Sequence, residues 1–240
     1  MNSALIFAGG VGSRMHTKGM PKQFLKVHGK PIIVYTLEHF QNHPDIDRIV
    51  VVCVETHLEY MQKLIELYGL TKVFAVVPGG STGQDSIWQG LSKLAESSSD
   101  DSEIVLIHDG VRPIIDEALI SRNIASVKTH GSAISSAPAI ETFCLSGSEE
   151  TIETVLDRKI CFMAKAPQSF FLKDIVSCHQ KARQEGWHDA IDSAQLMMRN
   201  GVTLHYVPCE TSNIKITTPC DYYVFKGILE ANESMQIIGL

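Results

Sequence analysis

A short apolar run at residues 3–7 leads straight into Ala8-Gly9-Gly10-Val11-Gly12-Ser13-Arg14-Met15, and Pro21-Lys22-Gln23 follows. The run has the composition of a parallel strand buried on both faces. Residues 31–37 read as a helix opening on Pro31. Strand, glycine loop and fixed cations together describe a phosphate site. Glycines let backbone N–H groups approach oxyanions, and Arg14 and Lys22 supply the charge that those N–H groups only partly offset. A Walker A loop is absent. The spacing Gly10-x-Gly12, followed by Arg14, is not that of a dinucleotide fingerprint. In that fold, too, the loop would run directly into a helix, and about sixteen residues intervene here.

The rest of the chain continues the alternation that such a strand requires. Strands are expected at 48–54, 73–77 and 103–107, with helices at 55–68, 86–94 and 116–127 between and after them. This order implies right-handed crossovers and a mainly parallel sheet covered on both faces. Such sheets bind ligands beyond the carboxyl ends of their strands. Three loops fall there: the glycine loop, Gly79-Gly80-Ser81-Thr82-Gly83-Gln84-Asp85-Ser86, and His108-Asp109-Gly110-Val111-Arg112-Pro113. The pattern then changes. Residues 134–140 read as a strand, and 141–156 as a hairpin arm projecting from the sheet. Residues 161–171 return to the α/β pattern, followed by helices at 173–184 and 193–199, a strand at 202–207 and a helix at 219–231. Pro167-Gln168 on its own reads as a rigid turn. The 240 residues suit one domain, 1–240, with this arm as an appendage.

Composition sets limits. A net charge of −6 disfavours a nucleic-acid surface but leaves a small anionic substrate open, since local cations decide that. No apolar run reaches membrane-spanning length, and the N-terminus enters a strand without a signal peptide's pattern. The six cysteines form no C-x-x-C pair and read as reduced residues of a cytoplasmic protein. The ten histidines carry no zinc motif expected on a credible helix.

Asp109 ends a predicted buried strand. It could hold Mg²⁺, which takes one or two carboxylates plus phosphate oxygens; equally, it could cap a helix or pair with Arg112. Arg112, Arg158 and Lys215 could meet an anionic second substrate or be surface charges. Lys215 alternates with Ile214 and Ile216 on an extended segment, which sets it opposite two core side chains.

Taken together, these blocks resemble the cytidylyltransferases that make CDP-activated polyol phosphates. The ordered set runs from about residue 3 to 225: A-G-G-x-G-x-R-M, P-K-Q, G-G-S…D-S-I, H-D-x-x-R-P, E-T, D-R, P-Q-S-F and N-I-K-I-T. The resemblance implies a Rossmann-like three-layer α/β sandwich. Ala8, Gly9, Gly10, Gly12, Arg14 and Lys22 would hold the CTP triphosphate, and Gly80, Ser81 and Ser86 the cytosine and its flank. Asp109 would lie by Mg²⁺ and the reacting phosphates, while Arg112 and Lys215 would bind the polyol phosphate. The family's arm interlocks two subunits, so Thr142 and Arg158 would reach the partner's site in a homodimer. A phosphate oxygen of the acceptor would attack the α-phosphorus of CTP and release pyrophosphate. Arg14, Lys22 and Lys215 would be the catalytic cations.

Departures from the pattern matter. Gly83 stands where the family usually has arginine, and Ala166 where methylerythritol enzymes usually have threonine. Ala8-Gly9-Gly10, His108-Asp109-Gly110-Val111-Arg112 and the segment 212–218 look closer to the ribitol phosphate branch. D-ribitol 5-phosphate is therefore the expected acceptor, with 2-C-methyl-D-erythritol 4-phosphate as the alternative. A sugar-1-phosphate nucleotidyltransferase shares the first loop but not the later blocks. A silent nucleotide-binding module has no need of Arg14, Lys22, Asp109 and Lys215 together.

Overall fold

In the computed structural model, which describes residues 1–10, 15, 19–148 and 150–238, the first apolar run forms β1 (Asn2–Ala8). A tight hairpin follows, β2 (Lys26–Val27) and β3 (Lys30–Pro31), turning on His28 and Gly29, both at positive φ. Sequence reading left this hairpin unassigned. Helix α1 (Ile32–Asn42) opens directly after Pro31, as its fixed φ favours. Then come β4 (Arg48–Cys53), α2 (Leu58–Leu67), β5 (Val73–Pro78), α3 (Gly83–Glu96) and β6 (Ile104–Asp109). Helix α3 starts three residues before its expected onset, because the Thr82 hydroxyl caps the Asp85 N–H at 3.0 Å.

Helix α4 (Glu117–His130) is capped by Asp116 and closed by left-handed Gly131, so β7 (Ser132–Pro138) begins at once. The arm is an antiparallel pair, β8 (Cys144–Ser146) and β9 (Ile152–Val155). Next is β10 (Phe162–Phe171), followed by α5 (Leu172–Gln184), α6 (Ser193–Arg199), β11 (Tyr206–Pro208) and α7 (Pro219–Ile238). Three details depart from expectation. Pro167 and Gln168 lie within β10, where the register slips between Ala164 and Gln168, rather than at a turn. Strand β11 is only three residues long, because the Ser132 hydroxyl takes the Thr203 carbonyl and the His205 N–H that a ladder would have used. Helix α7 runs seven residues past 231. His39 and His43 do stand four apart at the end of α1, contrary to the expectation of no helical pair. Their Nε2 atoms are engaged by the Pro113 carbonyl and by Glu117 and Ser121.

The seven main strands lie in the order β11-β7-β10-β6-β1-β4-β5, all parallel except β10. Side chains alternate between two cores, as the two-residue period of a strand demands. Ala4, Ile6, Ile49, Val51, Ile104 and Leu106 face α1, α2 and α4. Leu5, Val50, Val52, Val105 and Ile107 face α3, α5 and α6. The result is a three-layer α/β sandwich. Its register aligns Ala8 with Cys53, Cys53 with Pro78 and Phe7 with Asp109, so the three named loops leave the sheet at one rim.

The helix carrying the second of these loops packs unusually close. A Cβ on Gly90 of α3 would lie 2.7 Å from Leu5 Cδ1 and 2.9 Å from Val52 Cγ2. Gly90→Val is therefore expected to lower the unfolding free energy by about 1–3 kcal/mol in urea titrations, through overpacking of this core.

Candidate active site

At the end of β1, buried Gln23 donates from Nε2 to the Ala8 carbonyl at 2.7 Å. This bond holds the Pro-Lys-Gln turn against the strand end and sets Lys22 at the rim. Gly9 is needed for close approach, since a Cβ there would sit 2.7 Å from Ser86 Oγ. That hydroxyl accepts from the Gly80 N–H at 3.1 Å and donates to the Thr82 carbonyl at 2.9 Å, fixing the second loop. Ser81 Oγ donates to Asp85, which also pairs with Arg183 of α5 at 3.0 Å.

The third loop carries the strongest charge cluster. Asp109 is buried, with Lys215 Nζ 2.5 Å from Oδ1 and Arg112 Nε 2.8 Å from Oδ2. Burial alone would raise its carboxyl pKa, but Lys215 and Arg112 override it and hold the group at about 2. It is an ionised carboxylate under all ordinary conditions. Arg112 is oriented further by the Asn213 carbonyl, 2.9 Å from Nη1. Lys215 is presented because its neighbour Ile216 is fully buried and donates its N–H to the Val111 carbonyl.

Two cavities meet over this cluster. One, of about 280 Å³, gathers Ala8, Gly9, Gly10, Lys22, Gly80, Ser81 and Ser86 together with Asp109 and Lys215. The other, of about 300 Å³, adds Arg112, Lys165, Ala166 and Gln168 and extends between α3, α5 and α6. Phe7, Gly83, Asp109 and Lys215 line both. The structure thus brings ten residues named from the sequence to one place. Gly12 and Arg14 lie outside the described residues. Thr142 and Arg158 are exposed on the arm segment and line neither cavity; Arg158 Nη1 reaches the Ile140 carbonyl at 3.4 Å.

Some site residues escaped sequence reading. Lys165 is buried, donating to the Thr211 and Asn213 carbonyls at 2.9 and 3.0 Å. Burial, then the charge of Arg112, pushes its pKa down. Gln168 joins Asp192 and the Ala194 N–H, both at 2.9 Å. The available signal was a lysine and a glutamine inside an apolar strand run, 162–171. Among the described residues, no group of three or more His, Cys, Asp or Glu could hold a metal ion.

Comparisons with known proteins align with this geometry. The model of the 2-C-methyl-D-erythritol 4-phosphate cytidylyltransferase (IspD) family matches residues 3–231. The chain is 49% identical over 239 residues, all of both chains, to a ribitol-5-phosphate cytidylyltransferase of Vibrio parahaemolyticus. It is 54% identical over 240 residues, again covering both chains fully, to a ribitol-5-phosphate cytidylyltransferase of Streptococcus agalactiae. Among solved structures it is similar to 4-diphosphocytidyl-2C-methyl-D-erythritol synthase of Anaerococcus prevotii. There the TM-score is 0.81 and the identity 25%, over 95% of this chain and 96% of that one.

The charge cluster has a measurable pH signature. The folded-state pKa of Asp109 lies below its ordinary value, so its stabilisation is complete above about pH 4 and is lost as pH falls through about 2. Asp109→Asn is expected to cost about 3 kcal/mol at neutral pH in metal-free urea titrations. The gap from wild type should narrow as pH falls from about 4 towards 2.

Proposed function

This chain belongs to the 2-C-methyl-D-erythritol 4-phosphate cytidylyltransferase family and is a CTP-dependent cytidylyltransferase acting on a polyol phosphate; within that family, we propose that its acceptor is D-ribitol 5-phosphate and its product CDP-ribitol. The observation that carries the reading is the meeting of two cavities over Asp109 and Lys215. The cavity lined by Gly9, Gly10, Lys22 and Gly80 suits the phosphates of a nucleotide, and Arg112 at the edge of the other suits a phosphorylated acceptor. The choice of ribitol is supported by two relatives of full matching length, 49% and 54% identical, that bear that name. 2-C-methyl-D-erythritol 4-phosphate is the second reading, favoured by the family's own description.

The chemistry is mostly the handling of negative charge. Glycine N–H groups at positions 9 and 10, with Lys22, receive the triphosphate of CTP, a role that the resemblance also implies for Gly12 and Arg14. Gly80, Ser81 and Ser86 flank the base. Arg112 and Lys215 take the phosphate of the acceptor and hold it against the α-phosphorus. One acceptor phosphate oxygen forms a bond to that phosphorus as the bond to the β-phosphate oxygen breaks, and pyrophosphate leaves with the electron pair. A phosphate dianion needs no strong base, so catalysis lies in positioning two anions and in screening their repulsion. Asp109 holds Lys215 and Arg112 at the junction.

Mg²⁺ fits this donor set. It takes few protein carboxylates and several phosphate oxygens, and Asp109 is an ionised carboxylate where the phosphates would meet. When bound, Mg²⁺ supplies further neutralisation of the transferring phosphate.

The arm supports a homodimer. A lone two-stranded hairpin is marginal in water, and this one exposes Phe143, Leu145, Ile152 and Val155, with Ile160 just beyond. A partner's arm would cover these side chains and deliver Thr142 and Arg158 to the neighbouring site. All six cysteines are unpaired, which fits a reducing cytoplasm. Among the described residues, no helix is long and apolar enough to cross a membrane.

Pyrophosphate release with CTP and a panel of polyol phosphates is expected to be fastest with ribitol 5-phosphate; preference for methylerythritol phosphate would reverse the choice. Lys22→Ala should reduce turnover by about a hundredfold or more while circular dichroism stays unchanged. Mixing inactive Lys22→Ala and Arg158→Ala chains should restore activity through hybrid dimers if sites are shared between subunits. No restoration on mixing would contradict the shared site.

A further inference from the structure

Strand β10 buries a lysine where packing alone has no need of one. Lys165 is 9% exposed, and its ammonium donates to the Thr211 carbonyl at 2.9 Å and to the Asn213 carbonyl at 3.0 Å. Among the described residues no carboxylate pairs with it, and the charge of Arg112, which has the same sign, opposes it. A buried cation without a counter-charge is costly, and an apolar side chain of similar volume would avoid that cost. The lysine is therefore explained by what it holds.

What it holds is the stretch that carries Lys215. Between β11 and α7 the chain forms neither strand nor helix. The Cys209 N–H donates to the Ser136 carbonyl, and the Ile216 N–H to the Val111 carbonyl. Between these two points the backbone hydrogen bonds are local, from Asn213 to Glu210 and from Ile214 to Ser212. Side chains supply the ties to the sheet and its loops. Lys165 takes two carbonyls, Arg112 shares that of Asn213 at 2.9 Å, and Asn213 Nδ2 donates back to the Ala166 carbonyl at 2.7 Å. Lys165 also sits where β10 slips register, between Ala164 and Gln168, and such irregularities re-aim a side chain. Just beyond the clamped carbonyls, Lys215 meets Asp109.

We propose that Lys165 is a positioning residue for the transfer reaction: its ammonium clamps residues 211–213 against β10, and the clamp sets where Lys215 meets the acceptor's phosphate. This rests on the reading that Lys215 takes that phosphate. Lys165 acts through the backbone, so its loss displaces the Lys215 ammonium without removing it.

The test is a double-mutant cycle read in kcat/KM for the acceptor. It uses the full-length enzyme, saturating CTP and whichever of ribitol 5-phosphate and 2-C-methyl-D-erythritol 4-phosphate the wild type turns over faster. Lys165→Met, similar in length but without the ammonium, should lower kcat/KM about tenfold or more, with KM for CTP unchanged. In a Lys215→Met background the same change should cost less than about threefold, because the group it positions is gone. Lys165→Arg, which keeps the charge and the donors, should recover most of the loss. A merely structural role gives another pattern: less folded enzyme lowers kcat, leaves both KM values alone and multiplies with Lys215→Met. If Lys165→Met does not fold, Lys165→Gln, shorter and uncharged, is held to the same criteria. Folded variants with unaltered kcat/KM, or equal losses with and without Lys215, would overturn the assignment alone. Unaltered kcat/KM in Lys215→Met by itself would overturn the reading of Lys215 as the acceptor's phosphate ligand, and the assignment with it.

Discussion

The site depends on a single carboxylate that two cations hold ionised at the end of a buried strand. Asp109 would be a poor place for charge if it were alone, because β6 is buried along its whole length. Lys215 and Arg112 make the charge tolerable, and Asp109 in turn anchors both cations where the two cavities join. The three groups come from two distant parts of the chain, the loop after β6 and the segment before α7. Their meeting explains why 213–217 runs outside regular secondary structure: the Asn213 carbonyl steadies Arg112 and Lys165, and Ile216 plugs into a core with Phe225.

The sheet supplies the rest of the geometry. Parallel neighbours in register bring the ends of β1, β5 and β6 to one rim, where Gly9 lies against Ser86 because neither Gly9 nor Gly79 carries a Cβ. Two hydrogen bonds fasten that rim: Gln23 holds the Ala8 carbonyl at the end of β1, and the Ser86 hydroxyl holds the second loop at Gly80. For a reaction that consists of bringing two anions together, such preorganisation matters more than any proton transfer. The exposed arm stands apart from this frame, with Phe143, Leu145, Ile152 and Val155 open to solvent.

Legibility in the sequence followed the range of the interaction. Strand β1 announces itself as a short apolar run and β4 and β6 as β-branched ones, with Lys22 and Asp109 in short blocks at the ends of β1 and β6 and Lys215 in its own block before the last helix. What stayed hidden depends on contacts between remote segments. Ser132 replacing a ladder bond is invisible locally, so β11 reads longer than it is. Gln168 looks like a turn residue because the proline before it suggests one, yet β10 accommodates both by slipping register. His179 and Ser193 sit on α5 and α6, and only the packing of α5 against α3 and α6 reveals that they lie in the wall of a cavity.

The central claim is that both phosphates converge on one charged junction. A crystal structure of the enzyme with ribitol 5-phosphate and a CTP analogue carrying a methylene group between the α- and β-phosphates tests it directly. The account predicts an acceptor phosphate oxygen about 3–3.5 Å from the α-phosphorus, opposite the bridging methylene, with Lys215 against both phosphates. An acceptor bound outside the cavity shared by Asp109 and Lys215, or a nucleotide whose α-phosphate lies away from that junction, would contradict it.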